Sequence, residues 1–322
     1  MMKKYLPLII ILAGYLVSCG KTEKDEPYVP WRPEDQKEDS IAFDKATRLM
    51  ILSEQAENKV GMIDQPTGKL AWAWSAEKSD LSASQVKWFN LPDECKPVKD
   101  KSCVLATASG GGVALIRISD KAILFAANAG GNPHSVEMLP DGSIVVASST
   151  GNKLQVYKCP SEGTIGAKAV SSLKMDEAHN VVWDKKRSCL WTASGKYLYK
   201  LSYNESDCSL TQEYSYDLPE GNTTAHDLTP VYGEDELYVT TQQHVYEFNP
   251  ESGIFAEVSI FQQKDIKSVS TGPEGWPSIC TRPTSSSWWT SEVADFKGNR
   301  LFSYFKYQIY KARWYVDQPF SY

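Results

Sequence analysis

Three short segments constrain the fold of this chain more than anything else in it. Pro133-His134-Ser135-Val136-Glu137-Met138, Ala178-His179-Asn180-Val181-Val182-Trp183 and Ala225-His226-Asp227-Leu228-Thr229-Pro230 align on their histidines, which are spaced by 45 and 47 residues. A fixed period of that length marks a chain assembled from one repeated supersecondary unit. Related segments without the histidine occur upstream, at Asp39-Ser40-Ile41-Ala42-Phe43-Asp44 and Ser84-Gln85-Val86-Lys87-Trp88. Downstream, Lys267-Ser268-Val269-Ser270 takes the same place.

Turn chemistry follows these segments, as in Leu139-Pro140-Asp141-Gly142 and Gly272-Pro273-Glu274-Gly275. A β-rich run comes next (143–147, 189–193, 236–240), then a second turn and a further strand (153–157, 197–203, 244–248). Apolar and polar residues alternate in these runs, which indicates strands with a buried face. No segment carries a sustained helical period. Six such units, with four strands each, predict an all-β chain folded as a six-bladed β-propeller of antiparallel sheets, with a seven-bladed ring or a sandwich as the alternatives. The blades are expected to begin near residues 40, 84, 134, 179, 226 and 268. The aromatic end from Tyr304 to Tyr315 is expected to close the ring by pairing with a strand near Ile41.

The amino terminus supplies an address. Two lysines, Lys3 and Lys4, precede an apolar run over 5–17 that is shorter than the roughly 20 residues of a membrane span. Leu16-Val17-Ser18-Cys19-Gly20 resembles the bacterial lipobox, which implies lipidation of Cys19 after removal of a signal peptide at 1–18. Residues 19–39 are rich in Pro, Glu, Asp and Lys and read as a flexible tether. Within it, Lys24-Asp25-Glu26 looks like the acidic surface-export signal of Bacteroidetes lipoproteins. The propeller domain then spans 40–322. These features predict an exported, lipid-anchored protein of the outer membrane and the cell surface, held to the membrane by its lipid alone.

The formal net charge of −6 argues against nucleic acid as a partner. An exported chain can form disulfides, and Cys95 and Cys103, bracketing a lysine-rich loop, are expected to bridge. Cys189 and Cys208 are a second candidate pair, whereas Cys159 and Cys280 are expected to stay free.

The lipobox, the acidic tether, the blades opening on His and the ending Ile309-Tyr310-Lys311-Ala312-Arg313-Trp314-Tyr315 together resemble a group of Bacteroidetes propeller lipoproteins of unknown function. That resemblance implies architecture and supplies no chemistry.

First strands of propeller blades line the central channel, so His134, His179 and His226 are expected side by side at one mouth. Loops joining second and third strands should open on that face, among them Ser109-Gly110-Gly111-Gly112 and 282–287, followed by Trp288 and Trp289. Such a cluster is a default ligand-site hypothesis. Three neutral imidazoles could hold a divalent metal such as zinc or manganese. Pectin-degrading lyases of propeller fold are similar in using channel histidines for a metal. By that likeness Arg282 would neutralise a substrate carboxylate, and Trp288 or Trp289 would stack on a sugar. Ideal six-fold symmetry opposes a shared ion, because packed side-chain tips need about 3 Å between them. Asp227 and the more distant Asp39 are the only carboxylates expected beside the histidines. The structural alternative is that the histidines hydrogen-bond neighbouring blades and fix their spacing.

The leading expectation is a monomeric binding or scaffold propeller serving a polysaccharide or a protein partner. A metal-dependent polysaccharide lyase or hydrolase, with its site at the histidine-lined mouth, is the alternative.

Overall fold

Strand residues point alternately to two faces, and in this protein both faces are covered. In the first blade Ile51 and Met62 turn towards the second blade, while Met50 and Leu52 turn towards the sixth. The same division repeats around the ring, giving six apolar clusters, one between each pair of neighbouring blades. A small sheet gains stability only by stacking in this way, and that is why the unit recurs.

The computed structural model describes residues 33–219, 224–283 and 286–322. The expected signal peptide, Cys19 and Lys24-Asp25-Glu26 lie outside the described residues. Six sheets form the ring, so the six-bladed propeller of four-stranded antiparallel blades is the observed fold. The innermost strands are Ile309–Trp314, Pro92–Val98, Pro133–Met138, Val182–Asp184, Asp227–Pro230 and Ser268–Ser270, for blades one to six in turn. Blade two carries a fifth strand, Thr164–Ala167, parallel to its outer edge strand Ile123–Asn128.

The first two blades depart from the expected phase. Residues near Ile41 make bends and a short 3-10 turn, Phe43–Lys45, and form no strand. The strand at the C-terminal end does close the ring, but its partner is Leu49–Glu54, with Met50 opposite Trp314. Ser84-Gln85-Val86 belongs to a helical turn, Ala83–Val86, because Ser82 and Gln85 cap it: the Ser82 N–H donates to Gln85 Oε1 at 2.9 Å. Blade two instead starts at Pro92, eight residues later than expected. The end of the expected tether is also docked, since Gln36 Nε2 donates to the Gly68 carbonyl at 2.7 Å.

All six described cysteines are free. Cys95 and Cys103 lie on neighbouring strands but out of register: Cys95 faces Ala106 and Cys103 faces Val98. Cys103 and Cys159 instead share the apolar cluster between blades two and three.

Candidate functional site at the channel mouth

All six inner strands run in the same sense, from an upper mouth to a lower end. Strand register identifies which residues are equivalent. In blade two the pairing jumps between Pro92 and Glu94, leaving Asp93 at the mouth; in blade three it jumps between Pro133 and Ser135, leaving His134. His226 and Lys267 stand one residue before the paired Asp227 and Ser268, each with its N–H bonded to a second-strand carbonyl. Tyr310 sits in the corresponding irregularity of blade one. The upper ring therefore consists of Tyr310, Asp93, His134, His179, His226 and Lys267.

The three histidines come together as their spacing indicates. The His134 and His179 rings stack at 4.9 Å between centroids, the His179 and His226 rings meet edge-on at 6.3 Å, and Tyr310 stacks on His134 at 5.7 Å. His179 Nδ1 donates to the Glu177 carbonyl at 2.8 Å, so its Nε2 carries the lone pair. Lys267 Nζ donates to His226 Nε2 at 3.0 Å, and Asn132 Nδ2 donates to His134 Nε2 at 3.0 Å. Those partners place the ring proton of both histidines on Nδ1. His134 Nδ1 is buried with no hydrogen-bond partner, and Asp93 Oδ1 is 3.7 Å away, beyond hydrogen-bond reach.

Burial sets the charge state of this ring. It pushes His134 well below the usual imidazole value, with His179 and Lys311 adding repulsion. Burial also depresses His179, and it brings His226 down to about 3 with help from Lys267. Lys267 is itself lowered by burial and by Lys311, against a partial offset from Asp265. Asp93 is pushed up to about 8 by burial, against the Ser109 hydroxyl, which donates to Oδ2 at 2.8 Å. Near neutral pH the three imidazoles are neutral and Asp93 is largely protonated.

Below the mouth the channel is filled by charge. Arg313 Nε donates to Glu94 Oε1 at 2.8 Å and its Nη2 to Asp227 Oδ1 at 2.6 Å, while Lys311 Nζ reaches Asp227 Oδ1 at 3.1 Å and Glu94 Oε2 at 3.3 Å. All four side chains are buried. Burial alone would raise the Glu94 carboxyl, but Arg313 and Lys311 outweigh it and hold it well below the usual range. Lys96 and Glu137 form a further buried pair at 3.3 Å. At the lower end residues 315–322 fold across the opening. Phe320 enters the cluster between blades four and five, Ser321 Oγ donates to the Trp183 carbonyl at 2.8 Å, and the Tyr322 hydroxyl donates to Glu137.

Trp288 parts from Arg282 and Trp289. Trp288 is exposed at the rim and its Nε1 donates to Gln55 Oε1 at 3.0 Å; Gln55 in turn donates to Asp93 Oδ1 at 3.4 Å. Trp289 turns the other way, into a cleft of about 700 Å³ that it shares with Arg282, Asp265, Glu292 and Arg300. Arg282 is held there by its Nη1, which donates to the Phe261 carbonyl at 3.0 Å. His244 stands apart, beside Glu257 at 3.2 Å.

Two expectations change. Asp93 and Glu94 are carboxyl groups at and next to the ring, whereas Asp39 is exposed outside it. They were hidden by the wrong start of blade two. Stacking also keeps His134 and His179 from aiming their in-plane lone pairs at one ion. Among the described residues no group of three or more His, Cys, Asp and Glu side chains could hold a metal, zinc and manganese included. The buried quartet left a visible signal, since Lys311 and Arg313 alternate in an otherwise apolar strand.

Ring count, strand order and a channel filled by paired charges define a six-bladed β-propeller. Residues 2–322 match the family of unknown function DUF6528, and the chain belongs to that family. Several solved propellers share the fold. A Bacteroides caccae protein of unknown function is 13% identical with a TM-score of 0.55, covering 84% of this chain and 99% of its own. A proposed 6-phosphogluconolactonase of Bacteroides fragilis is 14% identical with a TM-score of 0.58, covering 81% and 82%. A Lactobacillus plantarum protein is 13% identical with a TM-score of 0.52, covering 82% and 81%. Such identities carry fold and not chemistry. No curated protein matches.

Proposed function

We propose that this protein is a binding propeller, anchored by a lipid on Cys19 and facing outward from the outer membrane, that engages a glycan at its upper mouth. One observation carries the placement of the site. The lower end is filled by paired charges and covered by residues 315–322, whereas the upper ring holds a buried His134 Nδ1 with no partner. Buried polar groups are ordinarily satisfied, and an exception asks for an explanation such as a ligand. Trp288, exposed at the rim, offers an apolar face of the kind that stacks on a sugar ring.

A polysaccharide panel applied to the mature chain tests this reading. Binding is expected to be retained by Arg282→Ala and lost from His179→Ala and Trp288→Ala. A panel with no binder, or a binder indifferent to both mouth variants, rejects the site. Cys19→Ala is expected to release the protein from the membrane fraction, and retention there rejects the anchor.

A further inference from the structure

The three imidazoles of the upper ring have been denied their charge, and Lys267 beside them holds its proton less tightly than an exposed lysine does. Lys267 enters from blade six, His226 from blade five, His179 from blade four and His134 from blade three, with Lys311 of blade one directly beneath. Lys311 lowers the proton affinity of all four of the others, Lys267 that of the three histidines, and His179 that of His134 and His226. The carboxylates that could compensate are committed elsewhere. Glu94 and Asp227 are matched by Arg313 and Lys311, two negative charges against two positive. Asp93 at the ring is largely protonated, and Tyr310 is held in its phenol form, its ionisation opposed first by burial and then by Asp93 and Asp227. Asp265 alone pulls the other way on Lys267, and Glu177 on His179.

Donors therefore dominate the ring. Lys267 has protons beyond the one it gives to His226, the neutral His226 carries its own on Nδ1, and His134 Nδ1–H has no acceptor. The missing component is a negative charge with lone pairs to receive them. An anion placed there would favour the charged form of each base beside it, by the ordinary attraction that raises a pKa next to an opposite charge. Binding and proton uptake would then be linked in both directions.

We propose that the upper mouth is an anion seat, taking a carboxylate or phosphate-ester group of the ligand between Lys267 and His226 and acquiring a proton from solvent as the anion binds. No covalent bond forms. The Lys267–His226 hydrogen bond breaks, His226 Nε2 takes the one proton from solvent, and its imidazolium stands with the Lys267 ammonium before the anion oxygens. This inference rests on the mouth being the ligand site and specifies the ligand class: an acidic rather than a neutral glycan.

The experiment is isothermal titration of the mature chain with D-galacturonate, glucose 6-phosphate and neutral D-galactose, between pH 5.5 and 8, in two buffers of different ionisation enthalpy. Acid sugars are expected to bind with net proton uptake and with affinity falling about tenfold per pH unit if one proton is taken up. Galactose should bind at least tenfold more weakly. The two acid sugars separate a carboxylate seat from a phosphate seat. Lys267→Met is expected to cost at least tenfold in acid-sugar affinity, and His226→Gln to remove the buffer-dependent heat, with melting temperature followed to show that both variants remain folded. Buffer-independent heats, or equal binding of galactose and galacturonate, overturn the anion seat while leaving a neutral-glycan site standing. Unchanged affinity in Lys267→Met overturns its placement. If neither acid sugar binds while a neutral polysaccharide does, only the present inference fails; if nothing binds, the binding function fails with it.

Discussion

The two ends of one channel are built from the same six strands and yet obey different rules. At the lower end, cation meets carboxylate at 2.6–3.3 Å and the last residues of the chain close the opening. At the upper end, bases crowd together, a carboxyl group stays protonated and a ring nitrogen has no partner. Equal burial with unequal charge balance separates what holds the ring from what the ring is for. Buried networks stabilise and specify a structure when every member is paired, and an unpaired member costs free energy that folding alone does not explain.

The contrast can be broken most forcefully from below. Arg313→Met leaves Glu94 and Asp227 sharing only Lys311, and removal of one member of a buried charge set is expected to cost about 3–5 kcal/mol. Denaturant unfolding measures it, and a loss under 1 kcal/mol would show that the quartet is not a structural plug. Phe320→Ala, which empties an apolar site under the covering segment, is expected to cost about 3 kcal/mol. Stability equal to that of the parent would mean that residues 315–322 are not closing the lower end.

Acid probes the upper ring. Its histidines bind protons less well folded than unfolded, so their contribution is complete above pH 6.5 and is lost as pH falls, for His226 over the window from 6.5 to about 3. Asp93 has the opposite sign: its raised value makes it favour the folded state below pH 3.8, an advantage lost as pH rises through about 8. Asp93→Asn should therefore flatten the decline above pH 4 and leave the acid limb intact, which thermal melts across pH 3–9 would show. Smallest in stability is His179→Ala, whose half-buried ring makes few apolar contacts; it should cost under about 1 kcal/mol while removing ligand binding. A larger loss of stability with binding intact would make the mouth histidines blade spacers after all.

Blades three to five were readable from the chain because His134, His179 and His226 mark the same turn of each inner strand, and a repeat copies position as well as residue type. Blades one and two were not. Ser84-Gln85-Val86 has strand-like alternation, but a capped turn of helix satisfies its backbone first. The C-terminal end closes blade one as its aromatic run indicated, but its partner is Leu49–Glu54 and not a strand near Ile41. Misplacing those blades hid Asp93 and Tyr310, two of the six ring residues, together with Gln55 beside Asp93. The fifth strand, Thr164–Ala167, is short and largely exposed, and offered no hydrophobic signal.

The pairing of Leu49–Glu54 with Ile309–Trp314 has one more consequence. A polypeptide emerging from its N-terminal side can assemble blades two to six in order, but its first sheet waits for the last to be synthesised. The strand that arrives then also delivers Lys311 and Arg313, so that the ring and its electrostatic keystone are completed in a single event. Premature termination before residue 309 would leave an open arc in which Glu94 and Asp227 lack both Lys311 and Arg313.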